Sequence, residues 1–402
     1  MMKPVHPSAA WIVILAGVAA AMHMAKLPPA LPVLRQELGI SLVQAGFLLS
    51  LVQLASMGLG IVAGLTADGI GLKRSMVIGL VVMFGAGLAG GWAHDVGTLL
   101  ALRALEGLGI LMTTVPAPSL VRRCVPLAQA MRMLGFWGAY MPFGAALALL
   151  CGPAVIERAG WPGWWWLIAL FSGVMALLVH WRVPADPAHA PSSAPAAAEG
   201  WGARLRGTLG AGGPWLAALT FCCYSAQWLA VVGFLPSLYA QSGWGGALGA
   251  VLTALVAAVN MIGNIASGRL LSRGVTPRAL LWSGFAAMAL GAFLAFSAWT
   301  QHWPVPRYLG ALLFSAVGGL IPGSLFGLAS RLAPSDRTVS TTVGWIMQWS
   351  AVGQVGGPPL AAWVASRVGG WQLTWMVTGA CCVCGALLAG LIERRLGAAG
   401  GS

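Results

Sequence analysis

Charge is what this chain most lacks. Only 8% of its 402 residues are Asp, Glu, Lys or Arg, and just 9 of them are acidic. Soluble domains carry roughly a quarter of their residues as charge, so this composition excludes an ordinary water-soluble protein. The hydrophobic share is 58%, and it falls in runs of the length a bilayer demands, about 20 apolar residues each. Twelve such runs are legible, at roughly 11–32, 43–64, 75–93, 98–119, 130–151, 163–181, 214–240, 248–268, 278–299, 307–329, 339–364 and 371–391. About 33 residues per run, loop included, leave no room for a sizeable soluble domain.

Catalytic signatures are missing too. There is no H-E-x-x-H, no G-x-S-x-G and no glycine-rich phosphate cradle, so an enzyme is not expected and any energy input should come from an ion gradient, of protons or of sodium. Cysteine is scarce and odd in number at seven, which gives no disulfide framework. Cys381-Cys382-Val383-Cys384 has no His or further Cys spaced to complete a coordination shell. Packing is therefore its expected role, and neither metal nor cofactor is expected.

The charge that is present is unevenly placed. The formal net charge of +13 would suggest nucleic acid in a soluble chain. With the N-terminus inside, however, sixteen of the 22 Lys and Arg residues fall in cytoplasmic segments and four in outer ones, while Lys26 and Arg103 lie within spans. That bias is the positive-inside pattern. It predicts cytoplasmic termini, contact with anionic lipid and no nucleic-acid partner. The first run continues some twenty residues past Lys3 without a convincing cleavage site, so it reads as an uncleaved span. Tryptophans near run ends, such as Trp11, Trp161 and Trp303, suit interfacial belts.

An internal repeat organises the runs. Residues 183–213 are rich in Pro, Ala, Ser and Gly and read as a flexible cytoplasmic linker between six-helix halves at 1–182 and 214–402. Gly64, Asp68 and Gly69 are answered 199 residues later by Gly263, Ser267 and Gly268. Leu31-Pro32 recurs as Leu235-Pro236, Trp137 and Gly144 as Trp349 and Gly356, and Gly160-Trp161 as Gly370-Trp371. These matches keep their order, with offsets that stay between 199 and 212, as a duplicated unit should.

Between the second and third runs stands Gly64-Leu65-Thr66-Ala67-Asp68-Gly69-Ile70-Gly71-Leu72-Lys73-Arg74. It resembles the loop between helices two and three of the major facilitator superfamily, with Gly64, Asp68, Gly71, Lys73 and Arg74 on the family pattern. Gly69 and Leu72 depart from it where further basic residues are common. Arg103-x-x-x-Gly107-x-Gly109 resembles the family's fourth-helix motif, linked there to proton coupling. The resemblance covers essentially the whole chain. It implies an all-α membrane protein of twelve helices in two pseudo-symmetric halves, working as a monomer by alternating access in a bacterial inner membrane. Drug exporters of the family carry an adjacent Gly-Pro in helix five; Gly138-Ala139-Tyr140-Met141-Pro142 lacks it, which tilts the expectation from efflux toward import. Pro118-Ser119 through Arg123, with Trp164-Trp165-Trp166, is similar to the cyanate-permease branch.

Ionisable residues inside a bilayer are costly and point to function. Lys26 precedes Leu27-Pro28-Pro29, with His23 one turn earlier. Either the prolines shape a substrate-facing wall with Lys26 on it, or Lys26 snorkels to the interface. Arg103 and Glu106 are spaced i, i+3 and can pair. Glu106 is either a proton carrier or half of a structural ion pair. Two cations with one acid favour an anionic solute, so Lys26, Arg103 and His23 are the expected binding residues. Tyr140 and Trp137, Gln227 and Trp228, Asn260 and Asn264, and Trp345, Gln348 and Trp349 are further candidates through amide, phenol and indole groups. For each of them interhelical packing is the competing reading. Gly64, Asp68, Gly71, Lys73 and Arg74 are expected to gate, with Asp68 and Arg74 latching the inward-closed state. The expected function is proton-coupled transport of a small organic anion; the alternative is a drug or metabolite efflux antiporter.

Overall fold

The computed structural model describes residues 7–60, 71–126, 133, 136–137, 139–186, 201–244, 246–335 and 338–400. Among these the regular structure is helical, with no strand. Ten helices are long and apolar enough to cross a membrane. One of them, Tyr140–Arg182, has 43 residues and would run about 65 Å if straight, twice the hydrocarbon thickness of about 30 Å. It is in fact two helices that meet at Gly160, whose φ of 68° and ψ of 172° are open essentially to glycine alone. Val339–Val368 is more polar, but its 30 residues also exceed that thickness. The described helices thus make twelve crossings.

In chain order the spans are Ser8–Glu37, Leu42–Gly60, Leu72–Gly90 and Val96–Cys124, then the fifth and sixth within Tyr140–Arg182. The seventh to tenth are Gly212–Gln241, Gly246–Leu271, Pro277–Phe296 and Pro304–Ala329. Val339–Val368 is the eleventh and Thr374–Leu396 the twelfth. Polar caps set several starts. Ser41 and Gln44 form a reciprocal capping box, and Asp95 accepts from the Thr98 N–H at 2.8 Å. Part of the segment expected to be linker is ordered as a short helix, Trp201–Gly210.

The first span outruns its sequence boundary. Its three prolines do not end it, because the helix pauses at Lys26 and restarts at Leu27 with Pro28 and Pro29 in the new first turn. There a missing N–H costs nothing. Helix continues to Glu37, so Lys26 lies near mid-span rather than toward one end.

Close glycine crossings repeat between the halves. A Cβ on Gly79 of the third span would stand 2.5 Å from the carbonyl oxygen of Gly109 on the fourth, and one on Gly291 of the ninth 2.5 Å from that of Gly310 on the tenth. Gly144 packs the fifth span on Val18 and Ala21 of the first. Its sequence counterpart Gly356 faces open space, and Gly353 and Gly357 instead pack the eleventh span on the seventh at Cys222 and Ala226. The halves also touch each other. Gly46 meets the Pro359 backbone, Gly233 meets Leu49, and Gln53 Nε2 donates to Gln354 Oε1 at 2.9 Å.

Candidate functional site

The break at Lys26 creates the site. Pro28 has no N–H for the carbonyl of Met24, and the helix is interrupted just beyond His23. Arg103 of the fourth span occupies both oxygens, donating from Nη1 to His23 O at 2.7 Å and from Nη2 to Met24 O at 3.3 Å. Its Nε reaches Leu48 O at 3.3 Å, just before the second span tightens into a 3₁₀ turn at Leu51–Gln53. The freed carbonyls therefore hold a guanidinium, where the sequence suggested a wall facing solute.

Around that anchor one acid serves three bases. Glu106 Oε2 accepts from Arg103 Nη1 at 2.7 Å, and Glu106 Oε1 accepts from Lys26 Nζ. His23 Nδ1 lies 3.3 Å from the same Oε1 and 3.4 Å from Lys26 Nζ. Lys26 also sits 4.6 Å over the Trp165 ring, while Trp164 Nε1 donates to Lys26 O at 2.9 Å. All four side chains are sealed from solvent, at 0–1% exposure, so Lys26 does not snorkel. His23 Nε2 is buried with no hydrogen-bond partner. With His23 neutral, the cluster carries a net charge of one positive unit.

The C-terminal half answers with neutral groups. Asn260 Nδ2 of the eighth span donates to Ser315 O at 2.8 Å and to the Tyr224 hydroxyl at 3.0 Å. Asn264 Nδ2 donates to Asn260 Oδ1 at 2.9 Å, and Trp228 Nε1 to Ser315 Oγ at 3.2 Å. Gln227 donates to Cys223 O at 3.0 Å and accepts from Cys382 Sγ at 3.3 Å. Tyr140 stacks on Trp137 with centroids 4.1 Å apart, and Trp345 and Trp349 cluster with Trp215. Gln348 lies against Gly60. Between the first, fifth and seventh spans a cavity of about 30 Å³ is lined by apolar atoms of Met24, Met141, Trp228 and Val232. That is room for about one water, and neither Lys26 nor Arg103 lines it.

Gly64 and Asp68 lie outside the described residues. At the start of the third span, after Gly71 with φ 98°, the exposed helix N–H groups have a partner the sequence did not suggest. Asp186 accepts from the N–H groups of Lys73 at 3.0 Å and Arg74 at 3.1 Å, and from Arg123 Nη1 at 2.9 Å. Arg123 Nη2 also donates to Pro184 O at 2.9 Å. Partial burial pushes the Asp186 carboxyl up, but the two amides and the guanidinium outweigh it and hold it below the usual carboxylate range. One carboxylate thereby ties together the ends of the third, fourth and sixth spans.

The family model described as Major Facilitator Superfamily matches residues 13–354. The chain belongs to the major facilitator superfamily. A 3-(3-hydroxy-phenyl)propionate transporter of Escherichia coli is 29% identical over 344 residues, covering 81% of this chain and 79% of the relative. The puromycin resistance protein of Streptomyces alboniger is 32% identical over 133 residues, but the match spans only 33% of this chain and about a quarter (26%) of the relative. In fold, a bacterial homologue of the human lysosomal transporter Spinster superposes with a TM-score of 0.82 over 98% of both chains at 15% identity.

As a facilitator-superfamily member the protein is a multi-pass membrane transporter and not an enzyme. The superfamily's two-half architecture accounts for the mirrored glycine crossings. Of the residues expected to act together, the structure joins His23, Lys26, Arg103 and Glu106 in one cluster, and Trp228 with Asn260 and Asn264 in another. Tyr140 stacks on Trp137, Gln227 bonds Cys223 and Cys382, and Gln348 lies against Gly60. Sequence reasoning missed Asp186, although an acid just past the sixth span, on the side bearing Lys73, Arg74 and Arg123, was a usable signal.

Proposed function

We propose that the protein imports a small organic anion together with a proton, with halves 1–182 and 214–402 rocking about the central ionic cluster. Its setting would be a bacterial inner membrane with both termini cytoplasmic. The carrying observation is the ratio of charges in that cluster, one carboxylate to two cations, fully buried. While Glu106 is ionised it occupies Lys26 and Arg103. A proton on Glu106 weakens both pairs and leaves the cations a place for an incoming anion. Proton and anion together restore the original net charge, so the loaded and empty clusters have the same electrostatic cost of burial. Either guest alone changes the buried charge by a full unit, which is expensive in a low-dielectric interior. Coupling follows from that difference. Support from kinship is the relative named for an aromatic propionate, which matches most of the chain.

Efflux of a drug or metabolite is the second reading, favoured by the resistance protein that matches a third of the chain. Uptake of radiolabelled small carboxylates into proteoliposomes, with and without an inward proton gradient, separates the two. Gradient-stimulated carboxylate uptake, lost in Lys26→Ala or Arg103→Ala and independent of the gradient in Glu106→Gln, is the expected result. Movement of lipophilic cations alone would overturn import and leave efflux.

A further inference from the structure

A larger cavity lies away from the ionic cluster, at the end of the C-terminal half where the seventh span passes to the eighth and the ninth to the tenth. Its volume is about 260 Å³, and its walls include Leu238, Tyr239, Trp244, Phe296, Arg307 and Tyr308. Pockets for drug-sized ligands run to about 300–1,000 Å³, so the occupant here is smaller. Two groups in this wall are chemically unspent. Tyr239 is 5% exposed, and its buried hydroxyl has no hydrogen-bond partner, a state that native structures rarely leave unexplained. Arg307 uses Nε on Ala295 O at 2.8 Å. Its two terminal nitrogens make no ion pair among the described residues, and the chain has no Asp or Glu anywhere between Leu235 and Ala311. Tyr308 is otherwise engaged, donating to Leu252 O at 3.3 Å.

We infer that this cavity is a second anion site, which takes a small carboxylate with an aromatic or short aliphatic body. The planar guanidinium is anchored at Nε, so its remaining N–H groups are preoriented as a fork, the geometry that matches a carboxylate bidentately. The Tyr239 hydroxyl supplies a further donor. Phe296, Leu238 and the Trp244 ring, whose centroid lies 6.1 Å from that of Tyr239, receive the apolar body. A lipid phosphate offers the same oxyanion chemistry from the bilayer, and the experiment separates the two sources.

The test is binding of radiolabelled 3-phenylpropionate and benzoate to purified protein in nanodiscs of phosphatidylcholine, in a Lys26→Met background that removes one of the central site's two cations and leaves Arg103 neutralised by Glu106. Saturable binding is expected, weakened at least 10-fold by Arg307→Gln and roughly 12- to 160-fold by Tyr239→Phe, the range for losing one hydrogen bond to a charged group. Arg307→Lys should recover part of the loss, and thermal melts should show all three variants folded. Displacement when phosphatidylglycerol is added to the disc would assign the site to lipid headgroups; persistence would assign it to the free acid. No saturable binding in either lipid, or equal binding in wild type, Arg307→Gln and Tyr239→Phe, would overturn the site. Such failure leaves the central reading standing, because that reading is tested through Lys26 and Glu106.

Discussion

Replacing Glu106 by Gln keeps the shape of the side chain and removes the only carboxylate from a cluster that holds Lys26 and Arg103 at 0% exposure. The Arg103–Glu106 separation of 2.7 Å corresponds to about 6 kcal/mol of attraction at an effective dielectric of about 20. Desolvation of the ions offsets much of this, and truncating one member of a buried pair typically costs about 3–5 kcal/mol. That range is the expected loss of stability in Glu106→Gln, because two buried cations are left with no counter-charge between them. The double variant Lys26→Met with Glu106→Gln removes one cation with the acid and should recover about 1–3 kcal/mol of that loss, the usual coupling between contacting residues. Denaturant or thermal unfolding in one detergent, followed by far-UV circular dichroism for the four members of the cycle, measures both quantities. A Glu106→Gln protein within 0.5 kcal/mol of wild type, or a double variant no better than the single, would refute an ionised cluster as the organising centre of the first and fourth spans.

Three further outcomes are expected. Asp186→Ala should cost about 1 kcal/mol, the usual value of a helix cap, and should increase proteolysis around residue 186 at pH 7. Because the Asp186 carboxyl is held below its ordinary range, its contribution is complete above the unfolded carboxylate pKa of about 3.9 and disappears as pH falls through the lowered folded value. The stability difference between wild type and Asp186→Ala should therefore stay flat from pH 8 to pH 5, and a steep change in that interval would count against the latch. Gly160→Ala places a Cβ where φ is 68° and ψ is 172°, at about 1–3 kcal/mol, and should lower the melting temperature without altering transport by the protein that folds. Gln354→Ala removes the 2.9 Å bond from Gln53 between the halves, and a cysteine placed at Leu49, buried against Gly233 of the other half, should be labelled faster by a membrane-permeant maleimide in that background.

The twelve apolar runs were legible because a bilayer imposes one length on every crossing, and the described helices fall on those runs, with parts of the second and fifth runs lying outside the described residues. The largest change is in the first span, which continues to Glu37 because two of its three prolines fall in a restarted first turn that needs no N–H. The i, i+3 spacing of Arg103 and Glu106 foretold their pairing. That Lys26 would complete the cluster was not legible, because its 80-residue separation from Glu106 is a matter of how the first and fourth spans cross. Gly144 and Gly356 show the limit of reading the repeat residue by residue. The crossing is kept, but the close approach moves to Gly353 and Gly357, a shift along the helix that leaves the pattern intact and changes the partners. Asp186 stood in a stretch whose composition suggested linker, and its role depends on three helix ends meeting.

A buried cluster with the same net charge when empty and when holding both proton and anion has an electrical consequence. Moving one elementary charge through the full membrane potential is worth about 2.3 kcal/mol per 100 mV. On the proposed cycle the cluster carries one positive unit inward when loaded and one outward when empty, so the two strokes cancel. The membrane voltage then does no net work, and the pH difference alone sets how far the solute can be concentrated. A cell that keeps its voltage but loses its pH gradient would lose accumulation through this protein, while one that keeps only the gradient would retain it.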